Sequence, residues 1–289
     1  MVALITPEME SKEFALWQAL LERQTGLWLP ESRKAFLITA LARHLKDKEF
    51  SDYDELYSKL DDGSISISDW ASLVDSLTVH ETCYYRDPDS LRLVANYCRN
   101  KALENFEKLN GKPQHFQLWS VGCSTGEEAY TLAIELDKLN LGLEEACGNR
   151  VYYGVTGIDI SYPSLAVARE GVYAAKQLDD MPLATRNHYF NRLADGYYQI
   201  KNQIRQRTCF IQSNVLDLEV ESKQQFDVIY CQNLLIYFRN DRKKQVIERL
   251  ANRLKPGGIL VLGHGEVLEL NIDKLTRVDT KQCLAYLQQ

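Results

Sequence analysis

The chain has 289 residues, 45% of them hydrophobic, and a formal net charge of −6, so it can bury a large core but lacks the overall basic character of a general nucleic-acid-binding protein. The sequence contains no run of 18 apolar residues that would predict a membrane span. The segment 1–7 lacks the charged start and apolar centre of a signal peptide. These features predict a cytoplasmic protein without membrane insertion. The seven cysteines are scattered without metal-ligand spacing, so we expect them to be reduced and expect no metal site.

Residues 12–77 carry apolar side chains at helical spacing, divided by polar breaks at 25–26 and 61–64. We predict a small all-α domain within residues 1–85. Its second helix is rich in basic residues, with Asp47 as the single acid among them: Arg33, Lys34, Arg43, Lys46 and Lys48. Two interpretations stay open, because such a run can be a solvated helix face or a surface that docks onto an acidic partner.

A connecting segment, 78–88, follows the predicted all-α domain, and its Pro88 suits the first turn of a new helix. From residue 116 onward short apolar runs alternate with helical patterns. The predicted strands are 116–121, 151–158, 209–213, 226–231, 259–263 and 284–287. The predicted helices among them include 163–169 and 241–254, the latter ended by 255–258. This alternation predicts an α/β domain over 86–289, with a mostly parallel sheet covered on both faces.

The alternation lapses over 172–208. There the dipeptide Asp195-Gly196 lies between two strand-like flanks, 189–192 and 197–200. An Asp-Gly pair between such flanks favours a tight hairpin turn. We therefore predict a small β insertion within residues 172–208.

The segment 118–128 reads as a buried strand, a turn with Gly122 and Gly126, and a helix that starts with Glu127 and Glu128. Glycines in this turn allow positive φ and the close approach of a ligand. Two carboxylates at a helix N-terminus would repel a pyrophosphate, so S-adenosyl-L-methionine, which is cationic, fits better than a dinucleotide. Alternatively, the two acids only stabilise the helix dipole.

Two polar side chains follow the next predicted strands. Asp159 ends the second strand, where a carboxylate can accept hydrogen bonds from both ribose hydroxyls, with 140–150 as an extended loop before that strand. The alternative for Asp159 is a helix N-cap. Asn214 follows the third strand, where its amide suits either the adenine edge or a turn.

The fourth strand, 226–231, is followed by Gln232 and Asn233, beside the position of a transferred group. The Asn- or Asp-Pro-Pro-aromatic motif of enzymes that methylate amino nitrogens is absent here. A carboxylate acceptor needs no such motif and no general base, because it is already ionised at neutral pH. Arg86 is our candidate for binding that carboxylate, and Tyr237 our candidate for orienting it.

Four segments are 82–88, 122–128, 158–160 and 233–238, and they occur in the order found in the CheR-type chemoreceptor glutamate O-methyltransferases. The chain resembles that family over almost its full length. The resemblance implies a Rossmann-like S-adenosyl-L-methionine-dependent methyltransferase domain after the all-α domain. It also implies methyl transfer to glutamate side chains in the cytoplasmic coiled coil of a chemoreceptor, which forms glutamyl methyl esters. By this resemblance the residues at the cofactor would be His80, Thr82, Arg86, Gly122, Glu128, Asp159, Asn214, Val215, Gln232 and Asn233. Arg86 and Tyr237 would face the methyl group and its acceptor.

Three positions depart from the pattern of the family. His80 and Gln232 replace the usual Asn and Arg, and the segment 263–266 reads Gly-His-Gly-Glu in place of Gly-His-Ser-Glu. These departures support an alternative, a catalytically weak cofactor-binding sensor or scaffold of a chemosensory complex. The Asp195-Gly196 turn is shorter than the loop of members that bind a receptor's C-terminal pentapeptide. We therefore expect a monomer that does not use the pentapeptide and docks through the basic helix.

Overall fold

The computed structural model describes residues 9–48, 50–78, 81–108, 113–217, 224–267, 272–280 and 282–289. The α-helices of these ranges are α1 Ser11–Thr25, α2 Lys34–Lys48, α3 Tyr53–Asp61, α4 Ile67–Leu77, α5 Pro88–Lys108, α6 Glu127–Cys147, α7 Tyr162–Glu170, α8 Leu183–Tyr189, α9 Asn202–Arg205 and α10 Asn240–Asn252. The strands are β1 Gln114–Val121, β2 Val151–Asp159, β3 Val172–Ala174, β4 Phe190–Arg192, β5 Tyr197–Ile200, β6 Thr208–Gln212, β7 Phe226–Cys231, β8 Leu254–Leu262, β9 Leu275–Arg277 and β10 Leu284–Gln288.

Helices α1 to α4 pack around a hydrophobic core of their own, in which Trp17, Leu37, Leu56 and Leu73 are buried. The helical spacing of apolar residues predicted this architecture. A further break, between α2 and α3, was not predicted from the sequence. Asp52 ends that break as the N-cap of α3, where its side chain accepts the backbone N–H of Glu55 at 2.9 Å.

The large sheet has the strand order β6-β2-β1-β7-β8-β10-β9. All its pairs are parallel except those that β10 makes with β8 and β9. One face is covered by α5, α6 and α7, and the other packs against α10 through Val246, Ile247 and Leu250. The prediction of a Rossmann-like, mostly parallel sheet is confirmed. Among the described helices, none has the length and hydropathy required to cross a bilayer.

The structure corrects two local predictions. Residues 140–147 are not a loop, because α6 continues to Cys147 and ends at Gly148, whose φ of 68° is left-handed. The segment 255–258 does not end a helix but lies within β8, since α10 already ends at Asn252. A bulge between Phe226 and Val228 in the β7–β8 pairing accommodates this Pro-Gly segment.

The insertion forms a three-stranded antiparallel sheet in the order β3-β5-β4. The predicted hairpin is present, and its turn holds Asp195 and Gly196 at φ values of 57° and 77°. Tyr173 of β3 donates a hydrogen bond to the carbonyl of Thr125 at 2.7 Å, so the insertion packs against the glycine turn. The bounds 1–85, 86–289 and 172–208 stay predictions.

Candidate active site

A cavity of about 320 Å³ opens at the carboxyl ends of β1, β2 and β7, which is a typical volume for a small-molecule site. It is lined by every predicted site residue that the structure describes: Thr82, Arg86, Gly122, Glu128, Asp159, Asn214, Val215, Gln232, Asn233 and Tyr237. His80 lies outside the described residues. The topology thus brings together segments from distant parts of the chain, while the individual roles of these residues stay predictions.

The glycine turn is bonded to the end of β2. The backbone N–H groups of Gly122 and Cys123 both donate to the carbonyl of Ile158, each at 2.9 Å. Gly122 has a φ of 80°, and a Cβ there would lie only 3.2 Å from the side chain of Leu234. The position therefore requires glycine, both for its backbone conformation and for the space beside the cavity.

Asp159 is held by backbone donors on both sides. Its Oδ2 accepts the N–H of Ser124 at 2.8 Å, and its Oδ1 accepts the N–H of Ser161 at 2.9 Å. The N-cap of α7 is Ser161, which accepts the N–H of Ser164 at 3.1 Å, so the N-cap interpretation of Asp159 is wrong. The carboxylate is fixed at the strand end, at the edge of the cavity.

Asp159→Ala should weaken the binding of S-adenosyl-L-homocysteine about 10- to 100-fold, because a hydrogen bond to a charged group contributes roughly 1.5–3 kcal/mol. Titration calorimetry measures this change. Asp241→Ala, an exposed position on α10, serves as the control. Unchanged affinity in a folded Asp159→Ala variant would refute the cofactor role of Asp159.

Glu127 and Glu128 have different environments, although they are adjacent. Glu127 is fully buried and accepts hydrogen bonds from Thr125 Oγ1 at 2.6 Å and Gln177 Nε2 at 2.9 Å, so it faces the insertion. Glu128 lines the cavity and accepts a hydrogen bond from Ser120 Oγ at 2.6 Å. The sequence interpretation of a carboxylate pair facing the ligand is therefore wrong, since Glu128 alone of the two lines the cavity.

Burial raises the pKa of the Glu128 carboxyl to about 8, although the hydrogen bond from Ser120 and the charge of Arg86 act in the opposite direction. A carboxylate in such a position is stabilised by a cation placed next to it. This property fits a ligand that carries positive charge, as S-adenosyl-L-methionine does. The fixed carboxylate of Asp159 and the open turn at Gly122 fit the nucleoside part of the same molecule.

Gln232 lies on the cavity wall but uses its polar atoms within the protein. Its Nε2 donates to Asp87 Oδ2 at 2.8 Å and to Ser90 Oγ at 3.0 Å, while its Oε1 accepts from the Tyr230 hydroxyl at 3.1 Å. Gln232 therefore joins the end of β7 to the start of α5. Its predicted contribution to the cofactor site is through this wall rather than through a free amide.

Asn214 forms the turn that the sequence had left as one of two alternatives. Its Oδ1 accepts the N–H of Leu216 at 2.9 Å, and its Nδ2 donates to the carbonyl of Gln24 at 3.3 Å. The side chain thus stabilises a turn and contacts the all-α domain, while the residue lines the cavity.

Arg86 and Tyr237 approach the cavity from two separate segments. Arg86 is exposed, and its Nη1 donates to the carbonyl of Glu81 at 2.7 Å. Burial raises the pKa of the Tyr237 hydroxyl, while the charges of Arg33 and Arg86 act in the opposite direction. Tyr237 is therefore neutral at physiological pH and can donate a hydrogen bond to an acceptor carboxylate.

The all-α domain also contributes to the cavity, which sequence reasoning missed. Thr25, Leu27 and Arg33 lie on its wall. The backbone N–H of Trp28 donates to the carbonyl of Tyr237 at 2.8 Å, which joins the two domains beside the cavity. No motif in the sequence indicates this contact, because it joins residues about 200 positions apart.

Comparison with known proteins supports the motif-based resemblance. The CheR methyltransferase SAM-binding domain matches residues 80–284, and the all-alpha domain of CheR methyltransferases matches residues 12–78. A chemotaxis protein methyltransferase of Borreliella burgdorferi is 29% identical over 248 residues, which cover 85% of this chain and 84% of that protein. Chemotaxis protein methyltransferase 2 of Vibrio cholerae is 28% identical over 255 residues, which cover 88% of this chain and 85% of that protein.

Among solved structures, a SAM-dependent methyltransferase from Geobacter sulfurreducens in complex with S-adenosyl-L-homocysteine shares 18% identity and covers 64% of this chain and 51% of that one. Its TM-score of 0.33 is too low to support a conclusion about this protein. The two family matches together span nearly the whole chain. The chain therefore belongs to the CheR methyltransferase family, with an all-α domain followed by a domain that binds S-adenosyl-L-methionine.

Proposed function

We propose that this protein transfers a methyl group from S-adenosyl-L-methionine to glutamate side chains of a chemoreceptor and so forms glutamyl methyl esters. The observation that carries the proposal is the arrangement of one cavity. The carboxylates of Glu128 and Asp159 line the same space as Arg86 and Tyr237. We assign the first two to the cationic and the nucleoside parts of the cofactor. Arg86 and Tyr237 suit a carboxylate acceptor, since one is a cation and the other a neutral hydrogen-bond donor.

The residues divide into two groups by task. Glu128, Asp159 and the wall at Gly122 would hold the cofactor, which supplies a methyl group carried on a positively charged sulfur. Arg86 would bind the glutamate carboxylate, and Tyr237 would orient it by donating a hydrogen bond. Binding of both partners in one cavity aligns the reacting atoms and removes water from the carboxylate.

No protein base is required by this chemistry. The acceptor glutamate has a reference pKa near 4.3 and is ionised at neutral pH. Tyr237 keeps its proton throughout, since its pKa is raised. Catalysis at this site therefore depends on positioning and charge. Arg86 and Tyr237 accordingly serve as binding and orienting groups rather than as proton carriers.

The exposed face of α2 supports docking of an acidic receptor helix. Arg43 and Lys46 are exposed on that face together with Phe36, which is 37% exposed, and Arg33 lies at the cavity. Lys48 contributes less, because it is paired with Asp69 at 2.9 Å. The exposed basic residues of α2, together with Arg33 at the cavity, favour the docking interpretation over a merely solvated helix. We propose that a monomer docks in this way in the cytoplasm, without a pentapeptide tether.

The double variant Arg43→Glu/Lys46→Glu should raise KM for the receptor about tenfold at low salt and leave cofactor affinity unchanged. Like-charge repulsion replaces attraction at the docking face, and salt should reduce the difference because exposed charges are screened. The measurement is KM for receptor methylation at two salt concentrations. Lys274→Glu/Arg277→Glu, near the β9 edge of the sheet, makes the same charge change away from α2 and is the matched control.

The function itself is tested by incubating the purified protein with tritiated S-adenosyl-L-methionine and membranes that contain the chemoreceptors of its own organism. Label on the receptor that alkali releases as methanol establishes a carboxyl methyl ester. Cofactor binding without any label would favour the sensor or scaffold instead. Label that resists alkali would indicate an acceptor other than a carboxylate.

A further inference from the structure

The described structure contains a buried carboxylate that the proposed chemistry does not use. Glu266, in the turn after β8, is only 4% exposed. Its Oε2 accepts the backbone N–H of Gly263 at 2.8 Å, and its Oε1 is buried without a hydrogen bond of standard geometry in the described ranges. Desolvation of an acid to this degree needs a compensating interaction.

The compensation comes from the segment that follows β7. β7 and β8 are parallel neighbours with Cys231 opposite Leu262, so the segments that follow them, 233–236 and 263–266, leave the sheet side by side. Burial raises the pKa of Glu266, whereas the backbone N–H groups of Gly263, Ile236, Asn233 and Leu235 act in the opposite direction, so they stabilise its charge. Successive N–H groups that converge in this way form an anion-binding concavity, here filled by a side chain of the protein itself.

The segment that carries these N–H groups has an unusual conformation. Asn233 has a φ of 58°, which is uncommon for a residue other than glycine, and residues 235–237 form a short 3₁₀-helix that ends at Tyr237. The same segment places Asn233 and Tyr237 on the cavity wall.

We propose that Glu266 is a positioning residue whose buried carboxylate holds the backbone of residues 233–236, and thereby sets Asn233 toward the cofactor and Tyr237 toward the acceptor carboxylate. This inference rests on the proposed roles of Asn233 and Tyr237. It assigns a role to the Gly-His-Gly-Glu segment that departs from the family pattern. Gly265, the departing position, has a φ of 79° and open space where a Cβ would lie, so glycine there suits the turn that carries Glu266.

Gly263 also determines where the Glu266 carboxylate can lie. A Cβ built on Gly263 would overlap the Oε2, Cδ and Cγ atoms of Glu266. The carboxylate can therefore fold back onto the amide of residue 263 only when that residue is glycine. Gly263→Ala should displace the carboxylate from the concavity without removing its charge, which provides a second and independent way to disturb the anchor that Glu266 provides for residues 233–236.

The Glu266 charge also acts on the cofactor site. Burial is the main reason for the raised pKa of Glu128, and the charges of Glu266 and Asp159 add to it, while Ser120 and Arg86 oppose it. Removal of the Glu266 charge should therefore lower the pKa of Glu128. The pH at which cofactor affinity changes should therefore shift when Glu266 loses its charge. A residue with a purely structural role would leave that pH unchanged.

The experiment compares Glu266→Gln and Gly263→Ala with the wild-type protein. We expect kcat for receptor methylation to fall about 10- to 100-fold per folded protein in both variants, since misplacement of a positioning segment by about 1 Å has effects of that size. Calorimetric titration with S-adenosyl-L-homocysteine from pH 6 to 9 should show the midpoint at lower pH in Glu266→Gln. Glu127→Gln, a buried carboxylate that faces the insertion, should leave the midpoint in place.

Two results would overturn the inference: an unchanged kcat in folded Glu266→Gln and Gly263→Ala, or an unmoved pH midpoint in Glu266→Gln. If both substitutions prevent folding, Glu266→Asp tests the same point, because it keeps the charge but shortens the reach; full activity in that variant contradicts the anchor. If the wild-type protein methylates no receptor, the proposed function fails, while the binding titration still tests Glu266 through the cofactor alone.

Discussion

Replacing Arg86 with alanine should reduce methyl ester formation on the receptor at least about 100-fold, because a single preorganised charged donor in an active site typically contributes 10²–10³ in kcat. The planar guanidinium can hold a carboxylate through two parallel hydrogen bonds. Arg86→Lys keeps the charge but loses this geometry, so it should restore only a small part of the activity. The measurement is the single-turnover rate with saturating cofactor and receptor.

Arg86 also lines the cofactor cavity, so its binding role must be separated from its role toward the acceptor. Titration of Arg86→Ala with S-adenosyl-L-homocysteine measures the effect on cofactor binding. A rate loss that persists at saturating cofactor reports the lost contact between Arg86 and the acceptor carboxylate. Arg92→Ala removes an exposed arginine of α5 that is paired with Asp89 and serves as the matched control. Normal turnover of Arg86→Ala at saturating cofactor would remove the basis for the proposed acceptor site.

The second large effect concerns Glu128. The affinity of the wild-type protein for S-adenosyl-L-homocysteine should fall as the pH is lowered from about 8 to 6, by up to roughly tenfold per pH unit. The free carboxyl has a pKa of about 8. S-adenosyl-L-homocysteine lacks the charged sulfur but keeps the ammonium group of the cofactor, and this group favours the ionised carboxylate, so binding below that pH must release a proton. Glu128→Gln cannot ionise, so its affinity should be lower at pH 8 and nearly independent of pH.

The same raised pKa affects the stability of the free protein. A glutamate has a pKa near 4.5 when unfolded and Glu128 has one of about 8 when folded, so the folded state binds more protons between these values. The free energy of unfolding contributed by Glu128 therefore falls as the pH rises from 4.5 to 8. Glu128→Gln should be the more stable protein at pH 8, in thermal melts without cofactor. Equal pH dependence of binding and melting in both proteins would contradict the assignment of Glu128.

The sequence determined the elements and their order through local patterns. Apolar residues at helical spacing predicted the all-α domain, short apolar runs that alternate with helical patterns predicted the parallel sheet, and Asp195-Gly196 predicted the hairpin of the insertion. These features depend on neighbours a few residues apart, so they can be read from one chain. The ends of parallel strands meet at one edge, which is why the site residues could be assigned to a common cavity.

The tertiary structure alone decided how the side chains of that cavity are used. Consecutive helical residues point about 100° apart, so only packing against the insertion shows that Glu127 faces away and Glu128 faces the cavity. Gln232 donates hydrogen bonds to Asp87 and Ser90, and Arg33 reaches the cavity from the all-α domain. These contacts join residues far apart in the chain, and their geometry is set by the packing of whole elements, which no local pattern encodes.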